Sequence, residues 1–121
     1  MSEAFFNLVP CYTKSHTKAT KSDRLLVPAL DTGVDFLVAD FQYEGGYNHP
    51  TWVGPFSYNK TLVVQSGRLR ITTDDGRSEE LGPQQVFFCG AGRRYQLQAL
   101  EAGRTTCIHT RVEGGPIPFE R

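Results

Sequence analysis

The chain predicts an all-β fold, an antiparallel barrel or sandwich, and three observations carry that expectation. Between Asn59 and Leu97, short β-branched or alternating runs recur: Thr61–Gln65, Leu69–Thr73, Val86–Cys89 and Tyr95–Gln98. The first three stop at turn signals, Ser66-Gly67, Asp74-Asp75-Gly76 and Gly90-Ala91-Gly92, and a polar segment between the second and third ends at Leu81-Gly82-Pro83. Strands punctuated by Gly, Pro and Asp about every 8–12 residues are the signature of such folds. Third, helical character is confined to Lys14–Arg24, which reads as a loop or one short helix.

The elements follow in order. Ala4–Val9 is apolar enough for a strand or a docked arm, and Pro10 ends it. Leu25-Leu26-Val27 reads as a strand bounded by Pro28, and Asp31-Thr32-Gly33 as a turn. Val34–Tyr43 is rich in β-branched and aromatic residues and reads as a strand, broken by Glu44-Gly45-Gly46. Tyr47–Lys60 is aromatic and irregular, and its prolines argue against a central strand until after Pro55. After the four runs, Glu101-Ala102-Gly103 reads as a turn and Arg104–Val112 as the last strand. The tail from Gly114 to Pro118 cannot continue it. The expected layout is an N-terminal arm and loop over 1–24, a barrel of about eight to ten strands over 25–113, and a tail over 114–121.

Bulk properties exclude several function classes. A chain of 121 residues is one domain. Thirteen basic and thirteen acidic residues cancel, so neither nucleic acid nor an anionic membrane is an expected partner. The basic run from Lys14 to Arg24 reads as a solvated segment. Cys11, Cys89 and Cys107 show no CxxC spacing and make no disulfide framework. They read as free thiols in a reducing compartment. Without a signal-peptide pattern or an apolar run near ~20 residues, the expected location is the cytoplasm. There is no P-loop, GxSxG or dinucleotide fingerprint.

From about Gly45 to Gln98 the chain resembles the cupin superfamily of jelly-roll barrels. Leu62 to Ile71 (LVVQSGRLRI) is similar to the end of the first cupin motif, and Leu81 to Tyr95 (LGPQQVFFCGAGRRY) to the second. The resemblance implies an antiparallel jelly-roll β-barrel. It also implies where metal ligands would stand, and the residues there differ. Seven positions before Gly67 comes Lys60 where metal-binding cupins carry glutamate, and Tyr95 takes the place of the third histidine. No histidine lies between Trp52 and Phe56, where the His-x-His pair would fall. An ammonium repels a divalent cation, so no metal and no cofactor are expected. His49 and His109 are the nearest off-pattern candidates; alternation puts Cys107 and Arg111 on the face of His109.

Phe56, Tyr58, Lys60, Leu62 and Val64 share parity and so share a face. In the family register that face points inward, with Trp52 and Tyr95. Trp52, Phe56, Tyr58, Lys60 and Tyr95 are therefore the expected ligand-binding residues, a cavity with aromatic walls and one amine. The same face also suits plain core packing. Two readings follow. One is a metal-free binding module for a small organic ligand, anionic or aromatic, similar to the ligand-binding barrels of AraC-type regulators. The other is a metal-independent isomerase, cyclase, dehydratase or lyase, with acid–base candidates Lys60, Tyr95, Tyr58, His49 and His109. An off-pattern metal site on His49 or His109 is a third. A homodimer is the expected assembly, with Ala4–Val9 as the crossing element.

Overall fold

The computed structural model of the chain describes residues 9–16, 19–27, 35–49, 51–116 and 118, with side chains from residue 35 onward. Among the described residues seven strands form one antiparallel sheet: β1 (Val9–His16), β2 (Ala19–Val27), β3 (Phe36–Tyr43), β4 (Asn59–Thr73), β5 (Ser78–Leu81), β6 (Val86–Cys89) and β7 (Tyr95–Thr110). The order is β1-β2-β3-β7-β4-β5, and β6 pairs with β4 beside β5. Among the described residues no helix is long and apolar enough to cross a membrane.

Two expectations are corrected. The polar stretch from Lys14 to Arg24 is neither loop nor helix; most of it belongs to the β1–β2 hairpin, paired from Val9↔Leu25 to His16↔Ala19. β2 then pairs with β3 from Lys21↔Tyr43 onward. Backbone pairing along a formed strand overrides weak local propensity. Pro10 does not end the segment but lies within β1 at a register irregularity, on the edge strand that tolerates a missing N–H. Residues Ala4–Leu8 and Asp31-Thr32-Gly33 lie outside the described residues.

The second correction concerns the turns at Ser66-Gly67 and Glu101-Ala102-Gly103. Neither reverses the chain. β4 and β7 run through them as 15- and 16-residue strands, paired from Asn59↔Thr110 to Thr73↔Tyr95, with register shifts between Val64 and Leu69. The shifts bend the ribbon. On this ladder Lys60 stands opposite His109, and Tyr95 opposite Thr73. A straight strand would separate those rungs by roughly 40 Å. Yet the Lys60 ammonium lies 5.6 Å from the centre of the Tyr95 ring. The ribbon therefore folds over on itself into two layers.

One layer holds β3, residues 103–110 of β7, residues 59–66 of β4, and β6. The other holds residues 95–101 of β7, 68–73 of β4, and β5, with Asn48 and Val53 bridged to Gln98 and Tyr95. Alternating residues from both layers fill the space between: Leu62 and Val64 from one, Leu69, Ile71, Leu97 and Ala99 from the other. At the bend the backbones nearly touch. A Cβ on Gly103 would lie 2.1 Å from the Ser66 carbonyl oxygen, so only glycine permits the crossing. Tyr43 locks this end: its hydroxyl donates to the Ser66 carbonyl at 3.0 Å.

Candidate functional site

The bend brings a polar row into the barrel. Cys89, Lys60 and His109 are direct neighbours across β6, β4 and β7. All three face inward and are buried, with Lys60 only 6% exposed. The alternation that buries Leu62 and Val64 buries Lys60 as well, because a strand has one inward face. Phe56 and Tyr58, on the approach to β4, stack with ring centres 5.1 Å apart. Tyr58 in turn lies 4.7 Å from the His109 ring. The ammonium of Lys60 sits 5.1 Å from the Phe56 centroid, within cation–π range.

Tyr95 reaches the same point from the opposite layer and is buried. Burial pushes its phenol up to about 12, and the nearby Lys60 charge and a hydrogen bond with Lys60 pull it partly back. Phe87 meets the Tyr95 ring edge-on at 5.1 Å. Burial also raises the Cys89 thiol, against the pull of Lys60. The arrangement offers a desolvated ammonium, a protonated phenol and three aromatic faces.

Of the five expected ligand-binding residues, the structure gathers four: Phe56, Tyr58, Lys60 and Tyr95. Trp52 stands apart. Its neighbour Val53 bridges to Tyr95 and packs on the core, so Trp52 faces the other way, where the Arg94 guanidinium covers its ring at 5.0 Å. Of the two histidines, His109 joins the cluster. His49 lies in the irregular stretch, its Nδ1 donating to the Thr51 carbonyl at 2.9 Å. Arg111 does not share the His109 face. It lies past the end of β7, exposed, and pairs with Asp35 at 3.3 Å.

A cavity of about 430 Å³ opens beside this cluster, between β5 and β6. Its floor is Ile71, Leu81, Phe87 and Cys89, and its rim includes Arg77, Arg93 and Arg94. None of the five expected residues lines it. Sequence reasoning missed it because its walls come from segments that touch only in the folded chain. The one local signal was the Arg93-Arg94 pair after Gly92.

The residues present do not fit a divalent metal. Among the described residues no three His, Cys, Asp or Glu side chains converge. The positions that would supply ligands present an ammonium and a phenol held protonated by burial.

No protein-family model and no curated protein sequence matches the chain. Solved structures do. A predicted oxalate decarboxylase of Thermotoga maritima matches 87% of this chain and 94% of its own, with 11% identity and a TM-score of 0.73. Ectoine synthase from P. lautus matches 74% of this chain and 63% of its own, with 18% identity and a TM-score of 0.66. The cupin domain of Schizosaccharomyces pombe Cnp3 matches 77% of this chain and 66% of its own, at 15% identity and a TM-score of 0.66. Identities this low speak for architecture and not for activity. Together with the antiparallel two-layer sheet, they identify the chain's fold as the all-β jelly roll of the cupins.

Proposed function

We propose that the barrel interior around Lys60 binds a small organic ligand with an anionic or aromatic group, without a metal. The observation that carries this reading is the buried Lys60 ammonium, set between the Phe56 and Tyr95 rings. Keeping an ammonium out of water is costly, and it is retained where its charge is used. Phe56 and Tyr58 are half-buried and form the accessible side of the cluster. A planar ligand stacked there would place its anionic group against Lys60. The test is a thermal-shift screen of small anionic aromatics and sugars on the native chain and on Lys60→Met. A hit that disappears in the variant supports the reading, and a blank screen counts against it.

Catalysis is a second reading, favoured by the hydrogen bond between Lys60 and Tyr95. A protonated phenol beside an ammonium is a proton-donor pair, the acid half of the acid–base chemistry that isomerases, cyclases, dehydratases and lyases use. Cupin-fold neighbours include proteins named as enzymes, which is consistent with either reading. Turnover of a screen hit, abolished by Tyr95→Phe with little change in melting temperature, would favour the enzyme. A homodimer completes the proposal. Val86 and Phe88 on edge strand β6 leave large apolar side chains 54% and 58% exposed, a surface a second copy would cover. Light scattering that shows a clean monomer removes this part.

A further inference from the structure

We propose that the cavity between β5 and β6 is a second binding site, adjoining the Lys60 cluster, for an amphipathic carboxylate anchored on Arg94. The cavity's volume of about 430 Å³ suits a small organic molecule. Its floor, Ile71, Leu81, Phe87 and Cys89, is apolar and offers a ligand body no hydrogen bonds from charged groups. The charge lies at the rim and is unequally matched. Arg93 pairs with Asp74, and Arg77 with Glu79 at 3.5 Å. Asp75, also on the rim, accepts from the Thr73 hydroxyl.

Arg94 is different. Its backbone N–H donates to Asp74 Oδ2 at 3.2 Å, which fixes the chain beneath it. Its guanidinium lies over the Trp52 ring at 5.0 Å and makes no ion pair among the described residues. A guanidinium over an indole face keeps its N–H donors for a carboxylate, and Arg94 also lines the cavity. A ligand with an apolar body and one carboxylate therefore matches floor and rim together. A sugar would leave its hydroxyls against Ile71, Leu81 and Phe87 without partners.

The site does not depend on the Lys60 reading. Lys60 is absent from the cavity wall, and the two places meet at Cys89, its cross-strand neighbour, and at Phe87, which touches Tyr95.

The test titrates 4-phenylbutyrate into the full chain with methyl-labelled Ile, Leu and Val, observed by NMR. The neutral amide 4-phenylbutyramide and the variants Arg94→Gln and Lys60→Met form the other arms. Arg94 is exposed, so Arg94→Gln leaves the core intact. The expected result is saturable shifts centred on the Ile71 and Leu81 methyls. Affinity should fall by about ten-fold or more for the amide and for Arg94→Gln, the loss of one charge-assisted contact. Lys60→Met should lose less affinity than Arg94→Gln, since Arg94 and not Lys60 lines the cavity. Shifts centred on Leu62 and Val64, lost in Lys60→Met and kept in Arg94→Gln, would overturn this inference and leave the Lys60 reading standing. Equal affinity of Arg94→Gln and the native chain, or no saturable binding, would also overturn it.

Discussion

Replacing Gly103 by alanine should destabilise the fold more than any other single added methyl group at a described glycine. The new Cβ would stand 2.1 Å from the Ser66 carbonyl oxygen and 2.6 Å from its carbon. Real Cβ contacts keep at least 3.0 Å, so the backbones of β4 and β7 must part by nearly an ångström. That movement strains the hydrogen bond from Tyr43 Oη to the Ser66 carbonyl, 3.0 Å, and the one from Arg104 N–H to Ser66 Oγ, 3.2 Å. Overpacking costs about 1–3 kcal/mol and each lost hydrogen bond about 1 kcal/mol. The expected loss is about 3–5 kcal/mol, a large part of a domain's total stability. Urea unfolding followed by the fluorescence of the single tryptophan, Trp52, measures it. Gly46→Ala is the control. Its Cβ meets nothing within 4 Å, so it carries only the cost of a φ of +89°, about 1–2 kcal/mol. If Gly103→Ala loses no more than Gly46→Ala, the close crossing of β4 and β7 is wrong, and with it the reason Tyr95 meets Lys60.

Two further outcomes follow from the buried groups. Tyr95, raised from 10.0 to about 12, keeps its proton in the folded chain while the unfolded chain releases it above pH 10. Tyr95's share of stability should therefore fall as pH rises from 10 to 12, by about 2–3 kcal/mol. Tyr95→Phe should remove that part of the slope in urea midpoints measured across this window; an unchanged slope would contradict the burial. The raised Cys89 thiol should react with iodoacetamide at pH 8 about ten-fold or more slowly in the native chain than in urea, read by peptide mass spectrometry. Equal rates would place Cys89 outside the barrel.

Much of this architecture was legible in the order of residues. The turns at Asp74-Asp75-Gly76 and after Leu81 stand where expected, because their residue types favour reversal in any context. Gly67 and Glu101-Ala102-Gly103 misled for the same reason. A glycine that lets two backbones cross looks, in sequence, like one that turns a chain. Telling them apart needs the partner strand, which lies more than thirty residues away. The β1–β2 hairpin was missed because Lys, Ser and Asp carry little strand preference of their own and its pairing is supplied by the sheet. Within the site, parity alone placed Lys60 with Leu62 and Val64. Trp52 could not be placed that way, because parity does not carry across the irregular stretch before β4. The cavity depended on β5 and the 90–94 turn meeting, which no local pattern encodes.

The central claim is that Lys60 is the interior anchor for a ligand. The most direct measurement is a crystal structure of the chain with the strongest hit from the thermal-shift screen. The account predicts an anionic oxygen within about 2.7–3.2 Å of Lys60 Nζ, with the ligand's planar part against Phe56 and Tyr58. Lys60 pointing to solvent, or a hit bound with its anionic group away from Nζ, would contradict it.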